Sequence, residues 1–289
     1  MLDIIFVITG IIAIILIWVM LYDSNRFVMV QHTFCDPRIK KPFRAVVLAD
    51  LHNNQYGKDN EWLLEAIREQ KPDAIWIAGD ILTASRKTKY NRAIVLLKEL
   101  AAQFPVYYAN GNHEHRLKLY PQEYGDAAVK YEKELREIGI DRLVNGHVVL
   151  PEIGIAIYGC EIDKYYYRRF HIGKMDDHYM EGLLGRVKKQ QFTVLLAHNP
   201  DYFPQYAKWG ADLVLSGHVH GGIIRIPFGK GVLSPAVRLF PKYDGGLFQE
   251  GDSTMILSRG LGIHTIPFRL FNPGEVHVVD LKPGRMHGE

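Results

Sequence analysis

Five apolar runs in this 289-residue chain are each followed closely by residues of metal-binding type. The runs cover residues 43–49, 74–78, 106–109, 192–197 and 211–215, and the residues that follow them are Asp50 and His52, Asp80, Asn112 and His113, His198, and His218 and His220. Short apolar runs bounded by turn residues are typical of buried strands. Open α/β sheets place their ligands outside the carboxyl ends of the strands, so these side chains are expected to converge along one edge.

Size and composition limit the classes of protein that the chain can belong to. Its length allows one α/β unit of about 250 residues after the N-terminal segment. A formal net charge of +3 gives no argument for a nucleic-acid partner by itself. The two cysteines, Cys35 and Cys160, form no disulfide framework and lack zinc-finger spacing. We interpret Cys160 as a small core residue at the end of a strand.

Residues 4–22 are nearly all apolar and are bracketed by Asp3 and Asp23. At about 1.5 Å per residue a helix of this length spans roughly 28 Å, close to the thickness of the hydrocarbon core of a bilayer. A cleaved signal peptide is the alternative, but it requires a basic region before the apolar run and small residues at the cleavage site. No Lys or Arg precedes the run, so the sequence favours a single-pass membrane anchor.

Basic residues lie on the C-terminal side of the apolar segment, at Arg26, Arg38, Lys40, Lys41 and Arg44. Because cytoplasmic flanks of membrane helices carry an excess of Lys and Arg, this distribution predicts a cytoplasmic catalytic domain at the cell membrane.

The remainder of the chain reads as one α/β domain. We predict a transmembrane anchor at 1–23, a linker at 24–42 with one short strand at 26–30, and a single domain at 43–289. Apolar spacing predicts helices at 59–70, 91–103, 126–138 and 180–190. Strands alternating with helices imply a sheet covered by helices. The last part of the chain contains strands at 254–258 and 275–281 but no helical pattern, which predicts a second sheet of largely antiparallel character.

The side chains at the strand ends offer carboxylate, amide and imidazole donors and no thiolate. Such donors suit Mn²⁺, Zn²⁺ or Fe²⁺ better than Ca²⁺. Seven side chains are too many for one tetrahedral ion and fit two divalent ions, with Asp80 as the bridge because a carboxylate has two oxygens. Two ions that lie about 3.5–4 Å apart can share a hydroxide and act on both oxygens of an in-line displacement at phosphorus. The predicted ligands are Asp50, His52, Asp80, Asn112, His198, His218 and His220.

In order and spacing these motifs resemble the calcineurin-like metallophosphoesterase superfamily, over residues 43 to about 281. The matching blocks are Asp50-x-His52, Gly79-Asp80, Gly111-Asn112-His113-Glu114, His198 and Gly217-His218-x-His220. The stretch 258–262, together with Pro267 and Arg269, resembles a branch of bacterial membrane-associated phosphodiesterases. The resemblance implies a four-layer α/β/β/α sandwich, in which helices flank two packed mixed sheets, here preceded by the N-terminal transmembrane helix.

The resemblance also implies a role for each site residue. The first metal would bind Asp50, His52, Asp80 and His220, and the second would bind Asp80, Asn112, His198 and His218. His113 resembles the histidine that contacts the phosphate and protonates the leaving oxygen, with a structural brace as its alternative role. Where this branch often has Gln after the double glycine, the chain has Ile223, which puts the placement of substrate in doubt but not metal binding.

Three residues are candidates for substrate binding: Arg168, Arg169 and His264. The two arginines follow three tyrosines after a predicted strand, and Arg pairs well with phosphate. A solvated loop with tyrosines packed beneath it is an equal alternative. The apolar stretch 263–271 either enters the bilayer, binds an acyl chain or covers the second sheet.

Three functions fit these features. The first is a membrane-anchored phosphoesterase with two divalent ions, Mn²⁺ being favoured, which hydrolyses a phosphoester or phosphoanhydride bond by in-line attack of a metal-bound hydroxide. Its partner would be a phosphorylated small molecule or a lipid-linked substrate. The second is a metal-dependent nuclease or nucleotide phosphodiesterase, which requires a basic groove with interleaved aromatic residues; the small net charge and the anchor argue against it. The third is a metal-stabilised binding domain, which predicts the loss of ligands or of His113, and all of them are present.

Overall fold

The computed structural model of the chain describes residues 1–85, 90–168, 172–222, 225, 231, 239–263 and 268–284. Its first helix, α1 (Leu2–Ser24), is 23 residues long and exposes most of its side chains. By length and composition α1 could cross a membrane, although a signal sequence near an N-terminus has the same properties. The predicted N-terminal apolar helix is confirmed.

The strands of the described chain form two sheets. In chain order they are β1 (Phe27–Asp36), β2 (Phe43–Leu48), β3 (Ala74–Ala78), β4 (Val106–Ala109), β5 (Gly146–Leu150), β6 (Ile155–Cys160), β7 (Phe192–Ala197), β8 (Leu213–Ser216), β9 (Gly246–Glu250), β10 (Ser253–Leu257) and β11 (Gly274–Pro283). The first sheet has the order β1-β11-β2-β3-β4, and the second has the order β5-β6-β7-β8-β10-β9.

Strand β1 corrects the predicted linker at 24–42. Ten successive residues of β1 pair in parallel with β11, so most of this stretch belongs to the first sheet and the strand is longer than the predicted one at 26–30. On its other side β11 pairs antiparallel with β2, while β2, β3 and β4 are parallel to one another. The C-terminal strand therefore lies between β1 and the strands that end in predicted ligands.

The second sheet is mostly parallel, which corrects the expectation of an antiparallel sheet at the C-terminal end. Strands β6, β7, β8 and β10 are parallel, and the edge strands β5 and β9 are antiparallel to their neighbours. Strand β10 is buried along most of its length, and Met255, Ile256 and Leu257 form the continuous apolar run that is typical of a central parallel strand.

Seven further α-helices lie in the described part of the chain. They are α2 (Glu61–Glu69), α3 (Asn91–Ala101), α4 (Asn112–Leu119), α5 (Pro121–Tyr124), α6 (Ala127–Glu137), α7 (Tyr179–Leu184) and α8 (Phe203–Trp209). Helices α2, α3 and α6 match the predicted segments closely. Helix α7 ends earlier than predicted because Gly185 follows it with a φ of 74°. The sequence did not predict α4, which begins at a candidate ligand.

Apolar residues fill the three interfaces between the layers. Trp76 of the first sheet and Val194 of the second belong to one buried cluster between the sheets. Leu63 of α2 belongs to the cluster on the outer face of the first sheet, and Phe203 of α8 belongs to the cluster on the outer face of the second. The predicted four-layer α/β/β/α sandwich is therefore confirmed.

Candidate metal centre

The carboxyl ends of strands from both sheets meet at one place. Asp80 follows β3 of the first sheet and His198 follows β7 of the second, and Asp80 Oδ2 lies 3.0 Å from His198 Nε2. Asp50 follows β2, and its Oδ1 lies 3.4 Å from Nε2 of His220, which follows β8. The structure therefore brings together residues that are far apart in sequence at the edge that the strand endings predict.

The distances between donor atoms fit divalent ions. His52 Nε2 lies 3.1 Å from His220 Nε2 and 3.8 Å from oxygens of both Asp50 and Asp80. Ligands that each lie about 2.1 Å from one ion are separated by roughly 3–4 Å, as these atoms are. Of the three groups of potential ligands whose donor atoms lie within 4.8 Å of one another, two consist only of predicted ligands: Asp50, His52 and His220, and Asp80, His198 and His218.

Asn112 is the seventh predicted ligand, and its surroundings also suit a divalent metal ion. Its Oδ1 atom is buried and has no hydrogen-bond donor among the described residues. Asn112 lines the same cleft as Asp80. A buried carbonyl oxygen without a donor is costly unless a cation or a water contacts it, so the residues present suit a divalent metal ion.

Asp80 presents one oxygen to both groups. Its Oδ1 accepts the backbone N–H of His113 at 2.8 Å, and its Oδ2 lies 3.0 Å from His198 Nε2 and 3.8 Å from His52 Nε2. From the sequence, Asp80 was predicted to bridge the two ions through the two oxygens of its carboxylate. In the structure the same oxygen, Oδ2, lies near rings of both groups.

The backbone at the site is held in a rare conformation. Asp50, His52, Asp80, His218 and His220 have φ values of 52°, 50°, 54°, 76° and 50°. The left-handed region costs about 1 kcal/mol or more for residues other than glycine, and such residues concentrate at functional sites. Five of the seven predicted ligands are therefore strained, and the surrounding packing must hold them in place.

Hydrogen bonds orient the histidine rings. His198 Nδ1 lies 2.7 Å from the carbonyl oxygen of Ala78, so Nδ1–H donates to it and Nε2 faces the cluster. His52 Nδ1 lies 3.2 Å from Thr83 Oγ1. Partners of this kind fix the tautomer of a ligand ring and increase its basicity.

The charged groups in the buried cluster shift one another's pKa values. Burial lowers the pKa of His198, but the carboxylates of Asp80 and Asp50 outweigh burial and raise that pKa to about 10. Burial raises the pKa of Asp50 to about 7 despite the opposing charge of His198. Because side chains bind a metal in their deprotonated forms, a divalent ion that binds here would displace the protons that these shifts favour.

His113 lies beside the cluster at the start of α4. The Ala84 N–H donates to its Nδ1 at 2.9 Å, which places the proton of the neutral ring on Nε2. The His113 ring meets the His52 ring edge to face, with centroids 4.9 Å apart. Its donor atom lies within 4.8 Å of donors on His52 and Asp80, so a ligand role is also compatible with the geometry.

A cleft of about 640 Å³ opens onto the cluster. Its walls include His113, and Arg168 lies on its rim with the guanidinium 4.5 Å from the centre of the Tyr165 ring. Two other predicted substrate-binding residues, Arg169 and His264, lie outside the described residues, as does Ile223.

A family model described as calcineurin-like phosphoesterase matches residues 43–222 of the chain. The chain belongs to the calcineurin-like phosphoesterases. This phosphoesterase is 30% identical over 243 residues to the metallophosphoesterase YkuE of Bacillus subtilis, across 83% of this chain and 79% of that protein. The predicted superfamily is confirmed, and the protein is a metal-dependent phosphoester hydrolase.

Two further relatives support the assignment of the chain to this family. The phosphoesterase is 29% identical over 253 residues to a metallophosphoesterase of Campylobacter jejuni, and the match covers 85% of this chain but 61% of that protein. It is 27% identical over 236 residues to the phosphodiesterase YaeI of Escherichia coli, covering 76% of each chain. This chain therefore spans less than two thirds of the C. jejuni protein.

Sequence reasoning assigned no role to several residues that support the site. Glu114 was quoted within a motif, yet its carboxylate accepts the N–H groups of Asp80, Ile81 and Gly111, each at 2.9 Å. The Tyr167 ring meets the His218 ring edge to face, with centroids 5.3 Å apart. The one sequence signal for Glu114 was the position of an acidic residue directly after the Asn-His pair.

Proposed function

We propose that this phosphoesterase hydrolyses a phosphoester or phosphoanhydride bond with two divalent ions, Mn²⁺ being favoured, bound by the seven predicted ligands. The observation that carries the proposal is the position of Asp80 Oδ2 between His198 on one side and His52 on the other. Two further observations support the binding of two ions. The buried Asn112 oxygen has no donor among the described residues, and a cleft lies beside it.

The protein side chains position the substrate and stabilise the charge on the leaving oxygen. When bound, two ions would supply an activated water and neutralise charge on the phosphoryl oxygens. With Nδ1 engaged by the Ala84 N–H, His113 presents Nε2–H, which donates a hydrogen bond to the leaving oxygen and stabilises the charge that develops there, while solvent water supplies the proton. Arg168 on the rim of the cleft binds an anionic group of the substrate, and Arg169 and His264 remain candidates for the same role.

We further propose that α1 anchors the enzyme in a membrane and that the substrate is lipid-linked. The apolar side chains of α1 are exposed along nearly its whole length, and a helix of 23 residues spans a bilayer. Arg26, Arg38 and Arg44 are each paired with a carboxylate, so the basic residues that argue for a cytoplasmic domain are chiefly Lys40 and Lys41.

Activity measurements on the full-length protein in mild detergent test the reaction. The metal-free protein is loaded with Mn²⁺, Zn²⁺ or Fe²⁺ and assayed on a phosphomonoester, a phosphodiester and a sugar-nucleotide diphosphate, each with and without an acyl chain. We expect hydrolysis with Mn²⁺ and faster turnover of an acylated substrate. Equal rates on acylated and soluble forms would contradict a lipid-linked substrate, and no hydrolysis with any metal would contradict the reaction itself.

Protease treatment of spheroplasts tests the location. A retained anchor leaves the 289-residue chain in the membrane fraction with its mass of 33.1 kDa unshortened. A cytoplasmic domain is protected until the membrane is opened. A shortened mature chain contradicts the anchor, and digestion from outside contradicts the cytoplasmic placement.

A further inference from the structure

Asn272 joins the end of α1 to a predicted metal ligand. Its side chain is fully buried, and its Nδ2 donates to the backbone carbonyl of His220 at 2.7 Å. Its backbone N–H donates to Asp23 Oδ2, in the last turn of α1, at 3.1 Å. One residue therefore connects the N-terminal helix with the backbone of the site.

Asp23 occupies a position that helix electrostatics disfavours. Carboxylates are destabilising at the C-terminal end of a helix because the macrodipole is negative there. Asp23 is nevertheless 3% exposed, whereas most of α1 is exposed. It accepts hydrogen bonds from the Arg26 side chain and from the Asn272 N–H, which offset the cost of burying its charge. This carboxylate is thus held by contacts to the catalytic domain.

A second connection starts from the neighbouring residue, Ser24. Its Oγ accepts the backbone N–H of Arg269 at 2.9 Å. The buried guanidinium of Arg269 donates through Nη2 to the carbonyls of Arg259, Gly260 and Gly262. This segment lies against Asp50, because a Cβ atom added to Gly260 would come within 2.6 Å of Asp50 Cβ.

Both connections reach residues that the family resemblance assigns to the same metal. The first reaches His220 and the second reaches Asp50, and His220 Nε2 lies 3.4 Å from Asp50 Oδ1. Both residues have left-handed backbone conformations, with φ values of 50° and 52°, so they depend on their surroundings to keep that conformation.

We propose that the C-terminal end of α1 positions Asp50 and His220 and thereby sets the affinity of the first metal. Asp23 and Asn272 are positioning residues in this scheme, because they act through the ligand backbone and touch no reacting atom. The inference rests on the proposed binding of two ions. It makes the junction between the N-terminal helix and the catalytic domain a determinant of metal loading.

Mn²⁺ binding to the full-length protein in detergent micelles tests the proposal, with the two ions resolved by calorimetric titration of the metal-free protein. Loss of a hydrogen-bond partner behind a ligand typically weakens metal binding by about 10–100-fold. We expect Asp23→Ala and Asn272→Ala to weaken one ion by about tenfold and leave the other unchanged. Asp23→Asn retains an oxygen for the Asn272 N–H and should restore most of the affinity.

Asp3→Ala is the matched control, because it removes an exposed acid from the other end of the same helix. Wild-type affinity for both ions in Asp23→Ala and Asn272→Ala would overturn the inference while leaving the two-metal proposal intact. Equal weakening of both ions, or weakening by Asp3→Ala as well, would also overturn it, because the loss would then be general. If the wild-type protein bound no second ion, the proposed function itself would fail.

Thermal unfolding of the metal-free variants separates positioning from misfolding. Should Asp23→Ala not fold, Ser24→Ala tests the second connection, since it removes the single hydrogen bond to the Arg269 N–H. We expect this variant to weaken the same ion by a few-fold. Unchanged affinity in a folded Ser24→Ala protein would remove the second connection from the scheme.

Discussion

The carboxylate of Glu114 accepts the backbone N–H of Asp80 at 2.9 Å, so a residue of α4 holds the loop that carries the predicted bridging ligand. The same carboxylate accepts the N–H groups of Ile81 and Gly111 and the hydroxyl of Tyr108, the last at 2.7 Å. Because these donors come from the segments after β3 and around β4, Glu114 ties the ends of two strands together.

We expect Glu114→Gln to reduce the free energy of unfolding by about 3 kcal/mol, because the amide group presents its own donors to backbone N–H groups and leaves some of them unpaired. Denaturant titration of the metal-free protein in detergent measures this loss. Tyr108→Phe is the control, since it removes one donor and leaves the backbone contacts intact, for an expected loss of about 1 kcal/mol. Equal losses in the two variants would contradict the role assigned to the backbone contacts.

Replacement of Asp80 tests the bridge. Asp80→Asn removes the negative charge that faces both His52 and His198, so we expect both ions to bind at least about tenfold more weakly. Titration of the metal-free protein with Mn²⁺ measures both affinities. Asp50→Asn should weaken one ion only. A fully loaded and active Asp80→Asn protein would show that Asp80 does not bridge.

His113 is predicted to act on the substrate and not on the metals. His113→Ala should keep both ions and lose about 10²–10³-fold in kcat, the usual cost of removing one hydrogen-bond donor to developing charge. Metal content by elemental analysis and steady-state kinetics separate the two effects. His147→Ala is the control, because His147 is an exposed histidine on β5 and is not among the described residues that line the cleft. Loss of bound metal in His113→Ala would make His113 a ligand.

The sequence was sufficient to predict where the ligands converge, because each ligand directly follows a short apolar run. The strands β2, β3, β7 and β8 are buried along nearly their whole length, and such strands carry a strong sequence signal. Helix α4 carries little signal. It is short and polar, and its start at Asn112 is determined by contacts of Glu114 with the preceding loop.

Two features that the sequence did not predict depend on pairing between distant parts of the chain. The stretch 24–42 was predicted to be a linker with one short strand at 26–30, because only pairing with β11, near the other end of the chain, extends that strand to the ten residues of β1. The role of Asn272 depends on the carbonyl of His220 and the carboxylate of Asp23, and no local pattern marks either partner. Hydrogen bonds of this kind become visible only when the sheet order is known.

A histidine pair between β1 and β11 predicts how stability depends on pH. His32 Nε2 lies 3.0 Å from His277 Nδ1. Burial lowers the pKa of His32 from 6.5 to about 4, with a further contribution from His277 that outweighs the opposing charge of Glu275. Between these two pKa values the unfolded chain binds a proton that the folded chain does not. Stability should therefore fall as the pH decreases from about 6.5 to about 4.

Thermal unfolding of the wild type and of His32→Gln over this pH range measures the effect. The predicted ligand histidines titrate in both proteins, so the difference between the two curves isolates His32. We expect the melting temperature of His32→Gln to fall less steeply on acidification, because the unfolded variant lacks the proton-binding site at residue 32. His147→Gln removes an exposed histidine from β5 and should follow the wild type. If the curves of His32→Gln and the wild type stayed parallel, the histidine pair between β1 and β11 would not account for the dependence of stability on pH.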